Sequence, residues 1–176
     1  MVNITEEIKA KAGFIIDMDG VIYHGNKILP GVPEFLRWLE ESGKKYLFLT
    51  NASQRTPKEL QEKLQRLGIT VGEEHFYTSA LATAGFLSSQ KPNGSAFIIG
   101  DAGLIHAMYS VGYTTNNVNP DYVIVGDTSS YNFEKIELAV NLVLKGARLI
   151  GTNPDVSGPV ENRSEEHTSE LQSPNT

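Results

Sequence analysis

Asp17-Met18-Asp19-Gly20 closes a short apolar run, Gly13-Phe14-Ile15-Ile16-Asp17. Two carboxylates this close repel unless a cation or a shared proton lies between them. A hard divalent ion with oxygen ligands answers that repulsion, and Mg²⁺ fits best. One carboxylate can attack phosphorus and form an acyl phosphate. The other can protonate the leaving oxygen and then take a proton from water. Gly20 lets the chain turn sharply beside them. The same residues also suit a plain turn or helix cap. A calcium loop does not fit, because Val21 and Ile22 stand where polar or ligating residues are needed.

A second group, Thr50-Asn51-Ala52-Ser53, closes the run Tyr46–Thr50. A hydroxyl at a strand end, followed by free backbone N–H groups, can hold a phosphoryl group. Ser, Thr and Asn equally favour helix N-caps, so a cap is the alternative.

These groups need a scaffold that brings strand ends together. Gly13–Asp17 reads as a buried parallel strand. Val21–Leu29, centred on Gly25-Asn26-Lys27, reads as a small hairpin or loop. A helix follows with Pro33 in its first turn, Phe35, Leu36 and Leu39 on one face, and Gly43 at its end. Phe35, Trp38 and Leu39 at that spacing predict core packing rather than a cofactor box. After the strand Tyr46–Thr50, Thr56-Pro57-Lys58-Glu59 is a capping box, and Gly68 ends that helix. The alternation continues with strand Phe76–Thr78, helix Ala80–Ser88, strand Ser95–Gly100 and helix Ala102–Val111. Strand Tyr122–Gly126, helix Phe133–Lys145 and strand Arg148–Gly151 complete it. Such alternation predicts an α/β fold with parallel pairing. In open sheets of this kind ligands sit outside the carboxyl ends of the strands, where both aspartates lie.

Composition narrows the function. The 176 residues carry a formal charge of -6, which argues against binding a nucleic-acid polymer because phosphate backbones need a basic face. With no cysteine, disulfides, zinc-thiolate sites, iron–sulfur clusters and a thiol nucleophile are all excluded. No apolar run approaches the roughly 20 residues of a membrane span, and the N-terminus does not read as a secretory signal. A cytoplasmic protein is expected.

Taken jointly, DMDGVIYHG and FLTNAS resemble motifs one and two of the haloacid dehalogenase-type hydrolases. FYTSALATAGFL, IIGDAGLIHAMYSVGY, NPDYVIVGDTSSYNFEKIELAV and GARLIGTNPD bring the resemblance closer to the NagD-type, class IIA branch, over nearly all of residues 12–160. That branch contains phosphatases of nucleotides and other small phosphate esters. The resemblance implies a Rossmann-like core with an inserted α/β cap of the C2 type. Residues 1–80 would be the N-terminal part of the core and 81–162 a partial cap. It implies Asp17 as nucleophile and Mg²⁺ ligand, and Asp19 as acid/base and, through its backbone carbonyl, Mg²⁺ ligand. Thr50, Asn51 and Ala52 would bind the phosphoryl group. A phosphotransferase or mutase would share this half of the site.

The resemblance further implies a Lys in a Gly-Lys-Pro run after the cap, then a Gly-Asp pair with a further Asp. Neither occurs before Asn162. Residues 163–176 begin RSEEHTSELQS, which is similar to the in-frame translation of a short-read sequencing adapter. A non-native or disordered tail is therefore expected, with the natural sequence cut near Asn162. A chain so cut is expected to lack turnover, to expose a strand edge and an unfilled sheet face, and at most to bind phosphate or Mg²⁺.

Other polar residues carry weaker signals. Asp101 and Asp127 each follow an apolar strand and a glycine, a pattern that suits capping or turns better than substrate contacts. Arg55 could meet a substrate phosphate but reads better as a surface charge, His24 could gate the site but reads better as an exposed loop residue, and Asn153-Pro154-Asp155 reads as a turn or a pocket-shaping loop.

Overall fold

The computed structural model describes residues 4–154. Asp155 and the tail 163–176 lie outside the described residues. The chain divides into two compact units, one of residues 1–50 with 57–77, the other of residues 51–56 with those from Thr78 onward.

The first unit runs α1 (Ile4–Lys9), β1 (Gly13–Asp17), β2 (Tyr23–His24), β3 (Lys27–Ile28), α2 (Val32–Glu41), β4 (Lys45–Thr50), α3 (Pro57–Arg66), a 3-10 turn (Glu73–His75) and β5 (Phe76–Thr78). Its main sheet has the order β1-β4-β5, and β2 with β3 forms the small antiparallel hairpin expected around Gly25. β1 and β4 are parallel, with Phe14 beside Tyr46, Ile16 beside Phe48 and Asp17 beside Leu49. Side chains alternate between faces with period two. Ile16, Met18, Tyr46 and Phe48 therefore turn inward and join Leu36 and Leu39 of α2 and Leu60 and Leu64 of α3 in one core. The opposite set is exposed, with Ile15 at 74% and Leu49 at 43%. Phe14 meets Phe35 and Trp38 edge-on at 6.0 and 5.7 Å, so these rings are packing residues, as their spacing predicts.

The second unit contains α4 (Ser79–Gln90), β6 (Ser95–Ile99), α5 (Ala102–Ser110), β7 (Thr114–Thr115), β8 (Tyr122–Val125), α6 (Phe133–Leu144) and β9 (Arg148–Gly151). The sheet order is β7-β6-β8-β9 and every pair is parallel. Ala96, Tyr122 and Ile124 face Leu87 of α4 and Leu104 and Met108 of α5. Phe97, Ile99 and Val123 point the other way, onto Ala139 and Leu142 of α6. Helices thus cover both faces of a parallel sheet, as strand-crossover-strand connections of one hand require when they diverge from the middle strands. Asp121 ties the base of the sheet. It accepts hydrogen bonds from Lys91 Nζ and from the Ser95 backbone N–H at 2.8 Å. The Lys91 hydrogen bond first, and the Ser95 N–H next, hold its carboxyl below the ordinary range.

Candidate active site

Asp17 is the last residue of β1 and Met18 the first beyond it. Met18 is fully buried, while Asp17 and Asp19 on either side of it are exposed. The strand alternation continues past the strand end, so one buried anchor sets two carboxylates on the solvent side. The Asp17 carboxylate accepts the Met18 N–H at its Oδ1, 2.8 Å away. Its Oδ2 has no hydrogen-bond partner among the described residues.

The loop after Asp19 is held tightly. The Met18 carbonyl accepts the N–H groups of Val21, Ile22 and Tyr23 at 3.3, 2.9 and 3.3 Å, and Gly20 N–H donates to the Tyr23 carbonyl at 2.8 Å. Gly20 sits at φ 79°, a left-handed conformation that would strain any side chain. Tyr23 is buried, and its hydroxyl donates to Asp19 Oδ2 at 3.5 Å. Lys63 Nζ lies 3.8 Å from the centroid of the Tyr23 ring. Sequence reasoning does not single out Tyr23. The signal was the four-residue step from Asp19, which becomes a contact because a β-bridge pairs the two residues. His24, next to it on β2, is exposed, as read.

Thr50 is buried at the end of β4. β1 and β4 are parallel and Asp17 is in register with Leu49, so Asp17 and Thr50 emerge at the same edge of the sheet. Asn51 and Ala52 follow directly and open the six-residue segment that belongs to the second unit. Within that unit the attachments of the segment include three hydrogen bonds. Ser79 Oγ donates to the Asn51 carbonyl at 2.7 Å. Ser53 is fully buried and its Oγ accepts the Asp127 N–H at 2.9 Å. The Gln54 carbonyl accepts the Gly103 N–H at 2.9 Å. The backbones approach so closely that a Cβ on Gly103 would stand 2.6 Å from the Arg55 carbonyl carbon, while one on Gly126 would stand 2.8 Å from the side-chain Oγ of Ser53.

Asp101 occupies the N-cap position of α5, but its side chain does not cap the helix. Its carboxylate accepts the Thr128 hydroxyl at 2.6 Å instead. Asp127 contributes its backbone N–H to Ser53. Both aspartates thus organise the strand ends of the second unit. Among the described residues there is no group of three or more His, Cys, Asp or Glu that could hold a metal ion, and no helix is long and apolar enough to cross a membrane. The donors at the strand end are oxygens, the Asp17 carboxylate and the Asp19 backbone carbonyl. That fits Mg²⁺, which binds through one or two carboxylates and keeps several waters.

Two α/β units with parallel strands, and an Asp-x-Asp-Gly turn at the carboxyl end of the first strand, define a class of α/β proteins with carboxylates at a strand end. Residues 14–114 match the family of haloacid dehalogenase-like hydrolases. The chain belongs to that family. A dihydroxyacetone phosphatase of Corynebacterium glutamicum is 42% identical over 146 residues, 83% of this chain and 53% of the relative. The ribonucleotide monophosphatase NagD of Escherichia coli K12 is 43% identical over 144 residues, 82% of this chain and 57% of the relative. The solved structure of E. coli NagD superposes with a TM-score of 0.80 at 41% identity, covering 85% of this chain and 60% of that one. A 4-nitrophenylphosphatase from Thermotoga maritima gives 0.81 at 31% identity, covering 85% and 57%. The chain spans little more than half the length of the curated relatives it matches.

Proposed function

We propose that the protein is a Mg²⁺-dependent phosphomonoesterase acting on nucleoside monophosphates or other small phosphate esters through a phosphoaspartate. The observation that carries this is the Asp17 carboxylate, with Oδ1 oriented by the Met18 N–H and Oδ2 without a hydrogen-bond partner among the described residues. Oδ2 attacks phosphorus, a P–O bond forms, and the bond to the ester oxygen breaks. Asp19 gives its proton to that leaving oxygen, then takes one from the water that attacks the acyl phosphate, which frees Asp17 and inorganic phosphate. Tyr23 supports Asp19 through its hydroxyl. Thr50 and the backbone N–H groups of Asn51 and Ala52 receive the phosphoryl oxygens, a role that rests on the motif. The Asp17 carboxylate and the Asp19 backbone carbonyl would hold Mg²⁺, which when bound offsets negative charge on the phosphoryl oxygens. The names of the relatives support water rather than a second substrate as the acceptor.

Residues 1–162 supply an attacking carboxylate and a proton carrier, but no Gly-Lys-Pro lysine to balance a phosphorylated aspartate. The chain alone is therefore expected to bind phosphate without turnover. The test is hydrolysis of p-nitrophenyl phosphate, nucleoside monophosphates and sugar phosphates, with Mg²⁺ or with EDTA. It uses this chain and a chimera carrying the remaining C-terminal portion of E. coli NagD. The chimera should hydrolyse phosphate monoesters only with Mg²⁺, and Asp17→Asn should abolish it. Near-normal activity in Asp17→Asn, or hydrolysis in EDTA, refutes the assignment.

A further inference from the structure

We infer that Ser79 is a positioning residue for the phosphate-binding turn, its hydroxyl setting the direction in which the Ala52 N–H is presented. This rests on the reading of Asn51 and Ala52 as phosphate ligands. The Asn51 carbonyl and the Ala52 N–H belong to one peptide unit. The described chain contains no cis peptide bond, and in a planar trans unit these two groups point in opposite directions. The Ser79 hydroxyl holds the carbonyl at 2.7 Å, so the N–H is aimed away from α4.

The hydroxyl is on a firm mount. Ser79 is the first residue of α4, where a serine hydroxyl ordinarily turns back to serve the helix end. Here Thr78, 1% exposed, does the capping, its Oγ1 accepting the Leu81 N–H at 3.2 Å. That leaves Ser79 Oγ to serve the turn. α4 is fixed in turn by Ala80, Ala84 and Leu87, all buried in the core of the second unit. Downstream, Ser53 and Gln54 are held by Asp127 and Gly103, so the turn is attached both at the Asn51–Ala52 peptide and just after it. A chain of packed atoms thus runs from the core through α4 to one backbone donor.

The experiment uses the isotope-labelled 176-residue chain, its Ser79→Ala and Ser79→Thr variants, and Ser89→Ala as a control. Ser89 lies on the same helix and donates to Phe86. Backbone spectra are recorded without phosphate and during titration with inorganic phosphate in Mg²⁺. Without phosphate, Ser79→Ala should shift the Asn51 carbonyl and Ala52 amide signals, and Ser79→Thr should restore them. With phosphate, Ser79→Ala should bind roughly three- to tenfold more weakly, the worth of one hydrogen bond. Ser79→Thr and Ser89→Ala should match the parent. Unchanged Asn51 and Ala52 signals in Ser79→Ala overturn the orientation claim whether or not phosphate binds. Unchanged phosphate affinity in that variant overturns its link to binding. If the parent shows no response of Ala52 to phosphate, the phosphate-site reading itself fails, and the positioning role fails with it.

Discussion

Gly103→Ala and Gly85→Ala make the same chemical change in two neighbouring helices and should move stability in opposite directions. On Gly103 a Cβ would stand 2.6 Å from the carbonyl carbon of Arg55 and 2.7 Å from its nitrogen and oxygen. All three are backbone atoms, so no rotamer change relieves the clash. Overpacking of this kind costs about 1–3 kcal/mol. Moving the 51–56 segment aside gives up the Gly103 to Gln54 hydrogen bond, a loss of about 1 kcal/mol. The gain in helix propensity is at most about 1 kcal/mol, so a net loss of about 1–3 kcal/mol remains. At this chain length that lowers Tm by roughly 2–12 °C. Gly85 lies exposed in α4 with nothing within 4 Å of a built Cβ. Its replacement should gain about 0.5–1 kcal/mol by restricting the unfolded chain. Urea unfolding followed by circular dichroism measures both, and amide hydrogen exchange should rise in residues 51–56 of Gly103→Ala alone. A Gly103→Ala protein within about 0.5 kcal/mol of the parent, the range of an ordinary surface change, would refute the close-contact account. So would a destabilised Gly85→Ala.

Burial above all raises the hydroxyl pKa of Tyr46 and Tyr113 from 10.0. The native state keeps those protons longer than the unfolded chain, so their contribution is complete below pH 10.0 and is lost as pH rises through the folded values. Alkaline titration of Tyr46→Phe should show a shallower fall in stability than the parent, and an identical slope would contradict this. Asp121 has the opposite sign. Its depressed pKa gives stability that is present above 3.8 and lost as pH falls through the folded value. Because Lys91 is exposed, the effect should stay under about 1 kcal/mol, and Asp121→Asn should flatten the acid limb of a stability–pH curve. In the active chimera, Asp19→Ala should lower kcat about 10²- to 10⁴-fold for alkyl phosphates. The loss should be much smaller for p-nitrophenyl phosphate, whose leaving group needs no proton. Equal losses for both substrates would remove the proton-donor role.

The α/β alternation was legible because apolar runs and Gly or Pro punctuation mark nearly every strand and helix. Beside the 3-10 turn Glu73–His75, two elements escaped for physical reasons. α1 is a short exposed helix with surface ion pairs, such as Lys9 to Glu6, and no buried stripe to give it a period. β7 is two exposed threonines on the sheet edge, specified by pairing with Ser95 and Ala96 rather than by their own sequence. At the candidate site, the Asp17 and Asp19 spacing already places both carboxylates on one side of a buried Met18. The surroundings of Asn51 and Ala52 were not legible. The groups that hold that turn, Ser79 and Asp127, lie 28 and 74 residues from the residues they bind. No local pattern encodes a contact across that distance. The short capping residues near Asp101 and Asp127 also hid a longer-range task, since Asp101 serves Thr128 and Asp127 serves Ser53.

The interleaving of the two units has a consequence for how the chain is made. Residues 51–56 leave the ribosome ahead of α3 and β5 of the first unit, yet their attachments come from residues 79, 103 and 127. At about 5–20 residues per second, Asp127 is synthesised roughly 4–15 s after Ser53. During that interval β1 and β4 can already pair, while the hydrogen bonds of Asn51, Ser53 and Gln54 to residues 79, 127 and 103 have yet to form. The segment that follows Thr50 is among the early parts of the polypeptide to appear, and its attachments to α4, α5 and Asp127 are completed only after those later parts are made.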